Sequence, residues 1–459
     1  MNAVSLAPRL ALSRMRARRG AVLDVLGVAA FTVSTWIALT VAGGTWMFVS
    51  RWQSLPAGAD PDTVAWYAAY VVLALVACAL LISPILGLGG AAARLGARGR
   101  SRRLASLRLL GMTGREVVSM SLVESLVQAV VGLVLGTGIY VLSLPLWRAV
   151  SLQDRPAGGG DMLTPWWLYL AVVAVLLALA AASTVLGLTR VRISPLGVAT
   201  QQTPPALRWW RAAALVVAFV VFIVATQGFR VFDINVASYA VVAGLIAIVI
   251  GAVNLVGPFV LQLAAYAGIR TGSPSRLLAA RRVLADPRGA WRNVAGVALL
   301  GVVAVMTSIL PREATDPLFD GVPHEMVVLL RDLATGAFVT LGIALVVGAV
   351  MTLIAQSSDV VDRAEESIAL DRMGMPRGTM LAARRHQVLG PLVVTLAVSL
   401  TAGVVLTVPF VAGGLGQSPV GIILLVGVLL VGLVLTLVAA EATRPIQAAI
   451  LGEQRRRND

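Results

Sequence analysis

The sequence predicts an all-α integral membrane protein with about ten transmembrane helices, arranged as two four-helix repeats joined by two linking spans. Apolar content, arginine placement and an internal repeat support this prediction. Of the 459 residues, 58% are hydrophobic and only 13% are charged, whereas a soluble domain has about a quarter charged residues. The excess apolar surface must face a solvent other than water, and lipid is that solvent.

Apolar runs set the number of predicted spans. A helix that crosses a bilayer needs about 20 residues, at a rise of about 1.5 Å each. Many runs in this chain meet that length, and the two weakest are the fifth and the seventh. The ten predicted spans are 21–49, 66–93, 116–146, 165–189, 211–227, 236–267, 291–310, 331–356, 386–411 and 418–440.

Arginine placement predicts the orientation of the chain. All 37 basic residues are arginine, and the net charge is +15. If both termini are cytoplasmic, all but six arginines fall on the inner side, the pattern that anionic inner-leaflet lipids and the membrane potential favour. Contact with membrane lipids therefore explains the basic charge, and nucleic-acid binding is not expected. The six outer arginines are Arg51, Arg148, Arg155, Arg230, Arg312 and Arg331.

An internal repeat predicts the domain organisation. Placing Gly111 on Gly374 aligns Glu124 with Gln387 and brings similar leucine and methionine positions together. Each half then contains four spans, and two spans link the halves, as in membrane proteins with parallel repeats. The predicted parts are a first four-span repeat at 1–205, two linking spans at 206–270 and a second four-span repeat at 271–459.

Each repeat carries an inner segment between its second and third spans. In the first inner segment (94–115), leucines at helical spacing form an apolar stripe, and Gly111 provides a helix stop because glycine readily adopts the left-handed conformation. Thr113 or Gly114 can begin the next helix, with Glu116 in its first turn, where the helix dipole favours an acid.

The second inner segment (357–385) repeats this design. Gly374 is expected to end its helix, and Pro376 stands where a following helix can begin. Either segment alone would fit a loop lying on the lipid surface. Two copies at equivalent positions favour a shared mechanical role, in which a cytosolic partner contacts the apolar stripe.

These segments resemble a known family. The stretch "RRLASLRLLGMTGREVVSMSLVESLVQAVVGLVLG" resembles the hallmark of FtsX-like permeases closely, and "EESIALDRMGMPRGTMLAARRHQVLGPLVVTLAVS" resembles it more loosely. Those permeases are membrane subunits of bacterial ABC transporters of the macrolide-exporter and lipoprotein-releasing type. Ten spans resemble the bacitracin-export branch, although only about twenty residues stand where that branch has a large extracellular domain between spans seven and eight.

The two inner segments depart from the family in opposite ways. The acid that usually begins the motif is Arg103 in the first segment and Glu366 in the second. The usual basic residue before the motif glycine is Arg108 in the first segment and Asp371 in the second. We therefore expect the two segments to be non-equivalent, either meeting different faces of an ATPase dimer or forming salt bridges with each other.

The resemblance implies the permease subunit of an ABC transporter in the bacterial plasma (inner) membrane. ATP and Mg²⁺ would bind a separate cytosolic ATP-binding subunit, in two copies per chain, and hydrolysis would drive export or extraction of a drug, peptide or lipid. The residues expected to couple the ATPase to the spans are Arg102, Arg103, Leu107, Arg108, Gly111, Arg115, Glu366, Leu370, Asp371, Gly374, Pro376 and Arg377.

The residues themselves argue against an enzyme. A P-loop needs a lysine to reach the nucleotide phosphates, and this chain has no lysine. Two isolated histidines are too few for a metal site, and one cysteine cannot form an internal disulfide. We therefore expect no catalytic residue, no metal and no cofactor in this chain.

Polar side chains within the spans have two interpretations. Glu124 and Gln128 share a face of the third span, and Gln387 is the counterpart of Glu124 in the ninth. Such residues are costly in lipid and are often functional. They could hydrogen-bond between helices, or they could line a substrate path.

Two other functions stay open at the level of sequence. One is a non-transporting membrane subunit that transmits a signal to a cell-wall hydrolase or a sensor kinase. Such proteins usually act through an extracellular domain, for which the short outer loops leave no room. The other is a secondary transporter, which would need broken helices and acids near the membrane midplane.

Overall fold

The computed structural model describes residues 21–75, 77–78, 85, 87–89, 113–158, 160–192, 210–226, 236–309, 324–362, 364–412 and 419–442. Nearly all of these residues are helical. The helices are α1 (Ala21–Gln53), α2 (Pro61–Leu75), α3 (Gly114–Ser143), α4 (Trp166–Arg192), α5 (Trp210–Thr226), α6 (Val236–Gly268), α7 (Pro274–Ala285), α8 (Pro287–Ser308), α9 (His324–Asp362), α10 (Ala364–Arg372), α11 (Arg377–Ala412) and α12 (Pro419–Glu441).

The helices confirm an all-α membrane protein. Within the described residues, seven helices are long and apolar enough to cross a bilayer: parts of α1, α3, α4, α6, α9, α11 and α12. Two shorter apolar helices, α2 and α5, coincide with predicted spans. The count of ten and the internal repeat remain predictions.

The chain divides into two compact units. Unit 1 comprises Met1–Ser50, Leu80–Ala149 and Ala157–Gln201, and unit 2 comprises Arg51–Ala79, Val150–Pro156 and Gln202–Asp459. Unit 2 therefore contains α5 and α6, which the sequence predicts to be linking spans. The domain boundaries at 205 and 270 remain predictions.

Unit 1 is held by close contact of α3 with α1 and α4. A Cβ atom placed on Gly132 would lie 2.4 Å from the Cβ of Phe31, so the two helices approach closely at this glycine. At the far end of α3, the Tyr140 hydroxyl donates to the Met162 carbonyl oxygen at 2.5 Å. Because lipid offers no hydrophobic drive between helices, small residues and polar contacts of this kind are what holds a membrane bundle together.

Unit 2 has a core built from five helices. One cluster of buried side chains joins these helices. Its members include Phe222 of α5, Val253 and Leu261 of α6, Val283 of α7, Trp291 of α8 and Leu406 of α11. The sequence does not predict that α5 and α6 share a core with the second half of the chain, because hydrophobicity on all sides gives no preferred face.

A short β-hairpin in unit 2 was not predicted. Strands Ser151–Leu152 and Arg155–Pro156 pair antiparallel, and Gln153 and Asp154 form the turn with positive φ values of 60° and 54°. The guanidinium of Arg51 donates to the carbonyl oxygens of Leu152, at 2.8 Å, and Pro156, at 3.2 Å. A two-stranded hairpin is only marginally stable alone, so these contacts hold it in place.

Side chains of α9 also hold the hairpin. The backbone N–H of Gln153 and the Tyr70 hydroxyl donate to Oδ2 of Asp332, at 2.6 and 2.9 Å. Arg331 and His324 both contact Asp154, and the hydrogen bond from the Arg331 guanidinium holds the pKa of Asp154 below its usual value. His324, the first residue of α9, is thus solvent-exposed and also contacts Asp154.

Candidate functional site

The second inner segment contains a short helix that ends at Gly374. Helix α10 runs from Ala364 to Arg372, and Gly374 has a φ of +82°. The Met375 N–H donates to the Leu370 carbonyl at 3.1 Å, and the Gly374 N–H donates to the Asp371 carbonyl at 3.1 Å. This hydrogen-bond pair is a Schellman cap, which satisfies the last carbonyls of a helix when a left-handed residue follows it. The predicted helix stop is therefore present.

The chain turns directly into α11 after this cap. The carbonyl oxygen of Pro376 accepts from the N–H groups of Thr379 and Met380, at 3.0 and 3.2 Å, so α11 begins immediately after the proline. Gly374 and Pro376 are exposed, and Met373, which directly follows α10, is 73% exposed. Leu370 and Asp371 are half-buried. The second inner segment thus presents its turn at the surface of unit 2.

Most of the first inner segment lies outside the described residues: Arg102, Arg103, Leu107, Arg108 and Gly111. Its end is described, and Arg115 is exposed in the first turn of α3. Thr113 caps α3: its hydroxyl accepts from the Glu116 N–H at 3.4 Å, and its own N–H donates to Glu116 Oε2 at 2.8 Å. This capping box is the helix start that the sequence predicts at Thr113.

The capping box allows a pH prediction. The backbone N–H and then the hydroxyl of Thr113 hold the pKa of Glu116 below its ordinary value of 4.5. A lowered folded-state pKa adds stability that is complete above pH 4.5 and is lost as the pH falls through the lower folded value. Thr113→Ala should lower Tm by about 2–4 °C at pH 7, whereas Thr113→Ser should not.

Glu116→Gln is the control for the pH effect, because glutamine can serve in a capping box but does not titrate. The measurement is Tm of the purified protein in detergent between pH 3 and pH 7. The Tm difference between wild type and Glu116→Gln should shrink below pH 4.5. A difference that stays constant over this range would contradict the assignment.

A chain of polar contacts joins the second inner segment to three other helices. Arg282 of α7 donates from Nε and Nη2 to Glu366 Oε1 of α10, at 3.1 and 3.0 Å. Its Nη1 also donates to Gln387 Oε1 of α11 at 3.3 Å. Gln387 Nε2 in turn donates to Asp359 Oδ2 of α9 at 2.9 Å. We call these four residues the Arg282 network.

The polar residues of α3 and α11 make contacts between helices. Gln128 Nε2 donates to Asp24 Oδ1 of α1 at 2.8 Å, and Gln387 belongs to the Arg282 network. Glu124 is buried, with 4% of its surface exposed. The two glutamines therefore support the interpretation as helix–helix hydrogen bonding. A substrate path along Glu124, Gln128 and Gln387 remains a prediction.

Comparison with known proteins identifies the family. Residues 89–196 match the family model described as FtsX-like permease C-terminal, a range that covers the first inner segment, α3 and α4. The segment 89–196 belongs to the FtsX-like permease family. The matched family is one of non-catalytic membrane subunits that generally work with a cytosolic ATP-binding subunit, and the seven apolar helices make this permease a multi-pass membrane protein. No curated protein and no solved structure shows significant similarity to it.

Two members of the Arg282 network, Arg282 and Asp359, were not predicted from the sequence. Arg282 appears in the sequence as one of six arginines near the start of the second repeat, and Asp359 as one of several acids on a helix face. The contact between Arg282 and Glu366 joins residues 84 positions apart. One signal was available: the predicted repeat aligns Gln387 with Glu124, and an acid at position 387 would place a second carboxylate beside Asp359.

Proposed function

We propose that this permease is the membrane subunit of an ABC transporter that exports or extracts an amphipathic or lipophilic compound, such as a drug, peptide or lipid. One observation carries the proposal: a short surface helix ended by a glycine cap. It stands 263 positions after the matching motif of the segment that belongs to the FtsX-like family. A partner subunit that contacts such a helix could displace it as a unit, and a sharp turn separates it from the next span.

The energy source would be a separate subunit. The chain contains no lysine, so ATP and Mg²⁺ would bind a cytosolic ATP-binding subunit. Because one chain carries two inner segments, we expect two copies of that subunit per permease. The inner segments would face the cytoplasm of a bacterium, at its inner membrane, with both chain termini on the same side.

Residues of both inner segments would contact the ATP-binding subunits. The exposed turn of the second segment, at Gly374 and Pro376, is the surface best placed for that contact. Arg115, the last residue of the first segment, is also exposed. The arginine-rich first segment and the acid-rich second segment would then meet different faces of the ATPase dimer.

Purification from native membranes tests the proposal. The permease should retain an ATP-binding subunit in a ratio of two per chain, and the complex should hydrolyse Mg-ATP. In proteoliposomes, ATP should drive movement of a fluorescent amphipathic dye, and a hydrolysis-deficient ATP-binding subunit should abolish that movement.

Three results would contradict the proposal. The first is a permease that retains no ATP-binding subunit under mild extraction. The second is hydrolysis without movement of any amphipathic probe, which would favour the signal-transmitting alternative. The third is labelling from the wrong side of the membrane. Met373→Cys, in a Cys78→Ala background, should react with an impermeant thiol reagent only from the cytoplasmic side, and reaction from the outer side would contradict the proposal. Gly58→Cys is its outer-side control, because a side chain at Gly58 has open space around it.

A further inference from the structure

The Arg282 network differs in kind from an ordinary surface ion pair. The Arg282 side chain is only 11% exposed, whereas that of Glu366 is 40% exposed. Two guanidinium nitrogens of Arg282 reach one oxygen of Glu366, and the third reaches the Gln387 amide oxygen. Arginine is suited to such a site because its planar donors are fixed relative to one another.

Gln387 has a fixed orientation in this network. Its oxygen faces an arginine that can only donate, and its nitrogen faces a carboxylate that can only accept. Reversing the amide would break both contacts at once. The Gln387 amide therefore links Arg282 to Asp359. Hydrogen bonds from one guanidinium, together with this amide, join α7, α9, α10 and α11.

We propose that Arg282 is a positioning residue for the second inner segment: it fixes α10 to α7, and, through Gln387, to α9 and α11, so that displacement of α10 moves these helices with it. This inference rests on the proposed function, in which an ATP-binding subunit displaces α10. Without the arginine, α10 would lose these contacts with α7 and with Gln387. It would still be joined along the chain to α9, across residue 363, and to α11, through the Gly374 turn.

A purely structural ion pair is the alternative, and the chain offers a matched control. Arg385 of α11 donates from Nε to Glu441 Oε1 of α12 at 2.9 Å, with side chains 58% and 37% exposed. This pair also joins two helices of unit 2, but neither partner lies on α10. Arg385→Ala should therefore leave α10 unaffected, whatever it does to overall stability.

The first arm of the test measures amide hydrogen exchange of 364–372 in the purified permease, without any ATP-binding subunit. Arg282→Ala should speed exchange in α10 by about tenfold, because Glu366 and Gln387 lose a charged hydrogen-bond donor. Arg282→Glu should do the same. Combining it with Glu366→Arg should restore part of the protection, because the charge pair is re-formed in reverse. The recovery should be incomplete, because the Gln387 oxygen, which accepts from Arg282 in the wild type, would then face a carboxylate.

The second arm uses the complex with the copurified ATP-binding subunit and a non-hydrolysable ATP analogue. In the wild type, the analogue should change exchange in α10 and in the inner ends of α9 and α11 together. In Arg282→Ala the change in α10 should persist while that in α9 and α11 becomes much smaller, and ATP-driven dye movement should fall at least tenfold with the ATP-binding subunit still attached.

The outcomes separate this inference from the proposed function. Unchanged α10 protection in Arg282→Ala would overturn the inference whatever the protein does. Loss of α10 protection with an intact response in α9 and α11 would also overturn it, because displacement would then travel by another route. A wild-type complex with no response to the analogue anywhere would overturn the proposed function and the inference with it.

Discussion

Gly257→Ala is expected to destabilise unit 2 more than any other single-methyl change considered for this permease. A Cβ atom at position 257 would lie 2.2–2.3 Å from the Cε2, Cδ2 and Cζ2 atoms of the Trp291 ring. The ring is 4% exposed within the core of unit 2, and its Nε1 donates to Asn254 Oδ1 at 3.3 Å on the same helix as Gly257. It therefore has little room to move.

The expected loss of stability exceeds the gain from a better helix former. Overpacking a filled core costs about 1–3 kcal/mol and occasionally more, whereas glycine to alanine within a helix contributes about 0.5–1 kcal/mol of stability. Three atoms of a planar ring block the added methyl group. We therefore expect this variant to lie at the upper end of the range of overpacking costs. Tm in detergent should fall by several degrees, and the yield of folded protein should fall with it.

Gly251→Ala is the matched control on the same helix. A Cβ atom at position 251 meets nothing within 4 Å, so only the propensity gain remains, and Tm should stay constant or rise slightly. Equal Tm values for the two variants would show that α6 does not lie against Trp291 as described. In a Trp291→Leu background, Gly257→Ala should lower Tm much less than it does in the wild type, because the ring that blocks the added methyl group is gone. An equal loss of Tm in both backgrounds would contradict the contact.

Gly374→Pro is expected to have the largest effect on activity. Proline fixes φ near −65°, whereas Gly374 has a φ of +82°. Proline also lacks the N–H that Gly374 donates to the Asp371 carbonyl at 3.1 Å. Both losses remove the cap of α10 and redirect the chain before α11. ATP-driven dye movement should fall at least tenfold.

Two further variants show whether the cap conformation is the cause. Gly374→Asn should retain most activity, because asparagine tolerates the left-handed conformation better than other residues with a side chain. Gly378→Ala should be neutral, because Gly378 lies within α11 and a Cβ atom there has open space. If Gly374→Pro keeps full activity in a stable complex with the ATP-binding subunit, the second inner segment does not couple ATP hydrolysis to the spans.

The local features of this permease follow closely from its sequence. Helix ends depend on residues within a few positions of one another. For that reason the stop at Gly374, the start after Pro376 and the cap at Thr113 could all be predicted from residue type and spacing. Lipid-spanning helices could be predicted for the same reason, since each satisfies its own backbone hydrogen bonds within one apolar run.

Features that join distant parts of the chain could not be predicted in this way. The hairpin is held by Arg51 and Asp332, from 101 and 179 positions away, and the network joins Arg282 to Glu366 and Gln387. Apolar helices give no preferred face, so α5 and α6 could be assigned only as linking spans, although they share the core of unit 2.

The sequence by itself therefore determined the class of protein, the helix ends and the family, since each of these depends on composition or on neighbouring residues. Only the tertiary structure decided which polar side chains meet and which helices share a core. In a membrane protein, packing and specific polar contacts select among helices that are all equally apolar, and both depend on three-dimensional position rather than on order along the chain.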